Sequence, residues 1–142
     1  MKNSAARSKA RRFAMQALYQ AQMSGDDLFT IERQFHEDNE LKRVDTEYLH
    51  EVLNGVAQSR DGLWEVLVPL LDRDRAEVGA VEQAILCLGA YELLHRINIP
   101  YRVVINEGVE LARMFGANES YKFINSVLDG VARSHRQVEM GT

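Results

Sequence analysis

The side chains best suited to catalysis or metal binding are few and scattered. His36, His50, His95 and His135 lie far apart, and none shares a metal-ligand spacing with the single cysteine, Cys87. No glycine-rich loop is laid out to cradle a phosphate, and no nucleophile elbow presents a serine. Aspartate and glutamate are abundant, but without a distinguishing arrangement they read as solvated surface. These residues predict no catalytic site, no metal and no cofactor, and the expectation is a protein that binds rather than an enzyme.

The residues suited to binding are better organised. Residues 1–25 carry Lys2, Arg7, Lys9, Arg11 and Arg12 without one acid, a local charge of +5, whereas the rest of the chain sums to −9 within an overall −4. A basic arm on an acidic body suits phosphate contacts, and on charge alone it serves equally as a solubilising tail. Arg12, Met15 and Tyr19 share one helical face, distinct from the alanine-rich stripe beside it, and Met23 extends the row by a turn. Such residue types are enriched in protein interfaces, although the residues alone favour cover by a neighbouring helix. Glu82 stands beside an apolar strip, where it marks either a helix start or a charge awaiting a basic partner. Glu92, deeper in the same segment, reads as structural and needs a donor such as Arg96 or a backbone amide if buried. Lys122 and Phe123 are adjacent on an amphipathic segment. An edge aromatic next to a lysine can stack on a base and touch a phosphate, or simply rim the core, and the latter is the plainer reading.

These residues must be positioned by helices, because apolar side chains recur at helical spacing throughout and no strand-like alternation persists. A first helix spans about Ser4 to Met23, with Ala10, Ala14, Ala17, Leu18 and Ala21 inward and Ser24-Gly25 as its stop. A second covers about Leu28–Glu37. Asp45 is a plausible N-cap for a third, which carries Tyr48, Leu49, Val52, Leu53 and Val56. A short fourth carries Leu63, Val66, Leu67 and Leu70 and is bent or ended by Pro69. Asp72 to Arg75 reads as a solvated linker. A fifth, about Val78 to Arg96, is apolar on most sides and therefore central. A sixth ends at Gly116, read as a C′ glycine, and Asn118 caps a seventh with Ile124, Val127, Leu128 and Val131 on one face.

The predicted class is all-α, about seven helices in two packed small bundles, an N-terminal subdomain of about residues 1–74 and a C-terminal one of about 75–142. A content of 46% hydrophobic and 27% charged residues is that of a globular protein with a real core. No targeting signal or membrane-length apolar run is present, and the lone cysteine in an apolar run suits a reducing compartment, so the expected location is the cytoplasm.

Several segments together resemble the NusB family. Ala6–Arg12, followed by Ala14–Tyr19 with its Gln16-Ala17-Leu18-Tyr19 run, is similar to the family's arginine-rich opening and first helix. Val81–Leu86 with Ala90–Leu93 resembles its central helix. Pro100–Ala112, Phe115-Gly116 and Lys122–Asp129 are the most specific matches. The resemblance spans nearly the whole chain in order, and residues 24–75 match more by pattern than by identity. It implies two helical subdomains and a transcription antitermination factor. Such a protein pairs with NusE, which is also a small-subunit ribosomal protein. The pair binds boxA RNA of nascent ribosomal RNA transcripts and acts with other Nus factors and RNA polymerase against termination. Carried over by position, Arg7, Lys9, Arg11 and Arg12 contact RNA phosphates, Phe123 stacks on a base with Lys122 nearby, and Tyr19, Glu82 and Met15 face the protein partner. Glu119 stands where the family also places an acid near the RNA. A related domain occurs fused to ribosomal RNA cytosine methyltransferases, and 142 residues fit the free-standing factor. The competing expectation is a helical scaffold or a homodimer through the Tyr19 face, with no RNA role.

Overall fold

The computed structural model describes residues 4–141, so Lys2 of the basic arm lies outside the described residues. Among these the regular structure is helical: α1 (Ser4–Ser24), α2 (Leu28–Asp38), α3 (Thr46–Leu67), α4 (Ala80–His95), α5 (Tyr101–Phe115), α6 (Ser120–His135) and the single turn α7 (Gln137–Met140). Helix starts follow local chemistry where the sequence supplies it. Asp27 accepts the Thr30 amide at 2.9 Å and Asp45 accepts the Tyr48 amide at 3.1 Å, each satisfying a first-turn N–H with no intrahelical partner. Gly25 ends α1 at φ +79°, a left-handed conformation that suits glycine.

The expected short fourth helix is the end of α3. Leu63, Trp64 and Leu67 continue the buried face set by Leu49, Val52, Leu53 and Val56 without a break in register, and the polar stretch from Ala57 to Gly62 only crosses the outer surface. Pro69 falls beyond the α-helix, in a 3₁₀ turn at Val68–Leu70. Two expected caps also differ. Gly116 is extended (φ −89°, ψ 171°), and glycine is needed there for space, since a Cβ would sit 2.7 Å from the Ala112 carbonyl and 2.9 Å from Ser120 Cβ. The residue before α6 is Glu119, not Asn118. It is left-handed at φ 66° and makes no side-chain cap, a conformation that carries strain in a residue with a Cβ.

The centre is α4. Every residue from Ala84 to Leu93 is buried, and the helix packs on α1 and α3 on one side and on α5 and α6 on the other. Leu128 of α6 fills the space left by Gly89 and Gly108, where a Cβ would approach its methyls to 2.8 Å. The C-terminal carbonyls of α4 are capped from a distance in sequence. Buried Arg136 donates to the Leu93 and Ile99 carbonyls at 2.9 Å each and to Arg96 at 3.1 Å, placing a cation at the negative end of the helix. No helix of the described residues is long and apolar enough to cross a membrane.

Candidate nucleic-acid and partner interface

The arm residues occupy the first turns of α1, and the structure separates them by direction. Arg11 points inward and is only 3% exposed. Its Nε donates to Glu92 Oε2 at 2.8 Å and an Nη donates to Glu107 Oε1 at 3.2 Å. The Tyr48 hydroxyl also donates to Glu92, and Ser8 donates to Glu107. Burial, followed by the charge of Glu92, pushes the Tyr48 phenol up, so it remains a donor. Burial likewise pushes the Glu92 carboxyl above its usual range, against the pull of Arg11 and the Tyr48 hydroxyl. Against the expectation that Arg11 meets RNA, its guanidinium is turned inside the protein, where Glu92 in the buried stretch of α4 takes it as a partner. The donors to Glu92 are Arg11 and Tyr48, whereas Arg96 pairs with Glu51.

Arg7 lies at the border of this cluster. Its guanidinium covers the Tyr48 ring at 4.5 Å, its Nε is 3.6 Å from Asp45, and its side chain keeps 28% of its exposure. Lys9 and Arg12 are half-buried and pair with no carboxylate among the described residues. The free positive charge of the helical arm thus resides on Lys9 and Arg12, with Arg7 partly available.

Two surface depressions lie on either side of the α4 start. One, of about 530 Å³, is largely apolar and is lined by Met15, Tyr19, Met23, Phe35, Val81 and Phe115. Tyr19 and Met23 stand on it at 37% and 63% exposure. Met15 is buried, the covered alternative for its row, and shapes the groove from its floor. The second, about 610 Å³, holds Arg73, Glu82, Glu119, Ser120, Lys122 and Phe123. Glu82 therefore faces the cleft of Phe123 and not the groove of Tyr19. Its Oε1 accepts the Gly79 amide at 3.3 Å, closing the first turn of α4, and its Oε2 accepts the Ser120 hydroxyl at 2.6 Å, tying α4 to α6.

The charges of the second cleft are internally matched. Lys122 Nζ is 2.9 Å from Glu119 Oε1. Arg73 forks onto Asp72, Nε to Oδ1 at 2.7 Å and an Nη to Oδ2 at 3.3 Å. Phe123 is half-buried against the core, and the Arg73 guanidinium covers its ring at 4.1 Å from the centroid. The 72–75 stretch is thus more than a solvated linker, for Arg75 covers the Trp64 ring at 4.1 Å as well. Sequence reasoning missed Arg73, since nothing local signals that a charged loop residue meets an aromatic fifty residues onward. It also missed the inward turn of Arg11, for which a signal existed: Arg11 precedes Met15 and Leu18 on one face, and Glu92 stood unpaired in an apolar helix. Cys87 is buried, and burial raises its thiol to about 11, so it stays neutral. Among the described residues no group of His, Cys, Asp and Glu is arranged to hold a metal ion.

The sequence profile of the NusB family matches residues 8–133. The transcription antitermination protein NusB of Alcanivorax borkumensis is 52% identical over 134 residues, 94% of this chain and 89% of that protein. Its counterpart in Saccharophagus degradans is 50% identical over 139 residues, 97% of this chain and 93% of that one. Among solved structures, NusB of T. maritima superposes with a TM-score of 0.83 at 25% identity, each chain covered in full. A chain from a crystal structure of the antitermination factors NusB and NusE with double-stranded RNA superposes at 0.77 and 21% identity, covering 89% of this chain and 96% of that one. At that identity the second likeness shows the fold alone.

Proposed function

The chain belongs to the NusB family, and from that premise we propose that it is a transcription antitermination factor, an RNA-binding adaptor that acts with NusE on boxA RNA of nascent ribosomal RNA transcripts. Other Nus factors and RNA polymerase are its wider partners, and the cytoplasm is its place of action. The role is one of binding and needs no catalytic step. The observation that carries it is the pairing, on one helical body, of an acid-free basic arm with a cleft built around a half-buried aromatic. Phosphates attract the first and an unstacked base suits the second.

The proposed site residues are these. Lys9, Arg12 and the exposed part of Arg7 supply the phosphate contacts, Phe123 with Lys122 lies in the base-binding cleft, and Tyr19 with Met23 over the Met15 floor forms the protein-binding groove. Glu82 has two available roles, as a charge toward a basic partner and as the brace between α4 and Ser120. The same proposal divides the chain into subdomains of about residues 1–74 and 75–142. The test is the binding of fluorescently labelled boxA RNA, with and without NusE, against a scrambled RNA. Tighter, sequence-selective binding with the partner is the expected result. Equal binding of both RNAs, unaffected by the partner, would return the chain to the scaffold or homodimer reading through the Tyr19 groove.

A further inference from the structure

The geometry points to Arg73 as the surface on which the base stacks, with its guanidinium held flat between the ring of Phe123 and an unpaired nucleobase; this rests on the RNA-binding reading above. Phe123 is half-buried against the core, so its inner side is already packed. Toward the cleft, Arg73 covers the ring at 4.1 Å. A base entering the cleft therefore meets the guanidinium first. That group is planar and weakly hydrated, and the free face of an arginine plane is an established stacking surface for RNA bases.

Two further observations distinguish this role from a phosphate contact. Asp72 occupies the Nε edge of Arg73 through two hydrogen bonds, at 2.7 and 3.3 Å, which fixes the plane and neutralises the charge. The other cation of the cleft, Lys122, is likewise taken by Glu119 at 2.9 Å. With Glu82 also on its wall, the cleft offers a phosphate no net attraction. What it offers is a guanidinium over an aromatic ring, its charge met by Asp72, which suits a neutral planar ligand. Lys9 and Arg12, which pair with no carboxylate among the described residues, lie elsewhere, on α1, so base and backbone are read at separate places.

The test titrates single-stranded boxA RNA, in the presence of NusE, with wild type, Arg73→Lys, Arg73→Ala and Phe123→Ala at several salt concentrations. It is repeated with RNAs in which each nucleotide in turn is abasic. Arg73→Lys keeps the charge and loses the plane. The expected result is a loss of about ten-fold in affinity for Arg73→Lys and Arg73→Ala with an unchanged salt slope. One abasic position should also weaken wild type yet cost nothing further in either variant. Affinity for Arg73→Ala equal to or above wild type would mean that Arg73 merely covers Phe123, and the inference would be overturned. A reduced salt slope in Arg73→Ala would make it a phosphate contact and overturn it equally. If wild type itself fails to bind boxA RNA, the RNA-binding reading falls and this inference with it, an outcome distinct from wild-type binding that Arg73 does not affect.

Discussion

Arg11 and Arg73 are built from the same parts and placed in opposite surroundings. Each guanidinium meets an aromatic ring, Tyr48 at 5.5 Å or Phe123 at 4.1 Å, and each donates to a carboxylate, Glu92 at 2.8 Å or Asp72 at 2.7 Å. Arg11 is 3% exposed and its partner 1%, whereas the Asp72 side chain keeps 69% of its exposure. Contact geometry therefore does not set the function of an arginine. Inside, loss of Arg11 strands the Glu92 carboxyl, and loss of Glu92 leaves Arg11 with Glu107 alone, in a medium that solvates charge poorly, so the pair becomes structural. At the surface water replaces whatever is lost, the pair adds little to stability, and the group is free to serve a ligand.

The largest effect that tests this contrast is the loss of the inner pair. Arg11→Ala or Glu92→Ala should cost about 3–5 kcal/mol, read as a fall in the urea midpoint at unchanged m value. A midpoint like that of wild type would show that the cluster is open to water. Next, Tyr48→Phe keeps the ring under Arg7 and removes one donor to Glu92, with an expected cost of about 1–3 kcal/mol by thermal or chemical denaturation. For RNA binding the order inverts. The double variant Lys9→Ala/Arg12→Ala should lower the slope of log affinity against log salt by up to about 1.4, the value for two single-strand phosphate contacts. Arg11→Gln, measured at a temperature where it stays folded, should leave that slope unchanged, and an equal drop would restore Arg11 to the phosphate-binding set. At the protein groove, Tyr19→Asp should weaken NusE binding without lowering the melting temperature, because Tyr19 stands at the surface; co-sedimentation and circular dichroism read the two separately. The smallest effect belongs to Arg73→Ala, for which no measurable change in melting temperature is expected.

The sequence was informative wherever the cause was local. The cap at Asp45, the stop at Gly25 and the apolar faces of α1, α5 and α6 all follow from neighbours within two turns. The buried centrality of α4 followed from its composition. What is not legible rests partly on local registers that polar surfaces mask and partly on contacts across the fold. The polar outer surface of α3 between Ala57 and Gly62 resembles a break in the sequence, while the inner register runs on through Leu67. Gly116 after a helix suggests conformational freedom, but Ser120, folding back over it, makes it a matter of space. At the candidate site, Phe123 and Lys122 could be named from their types and order. The Glu119 partner of Lys122 lay close enough in sequence to suspect, whereas the cover of Phe123 by Arg73 depends on how the 72–75 loop returns over α6.

The arm is already helix from Ser4 onward, and the Ala6 carbonyl accepts the Asp45 amide at 3.1 Å, pinning the first turn of α1 to the start of α3. Lys9 and Arg12 are thus presented on a rigid rod rather than on a segment that folds upon its ligand. If these two cations meet RNA as proposed, their helical backbone is ordered beforehand, and binding through them should lack the large negative heat-capacity change that accompanies coupled folding. Its encounter rate should be governed by electrostatic steering, rising as ionic strength falls, with no slower conformational phase behind it.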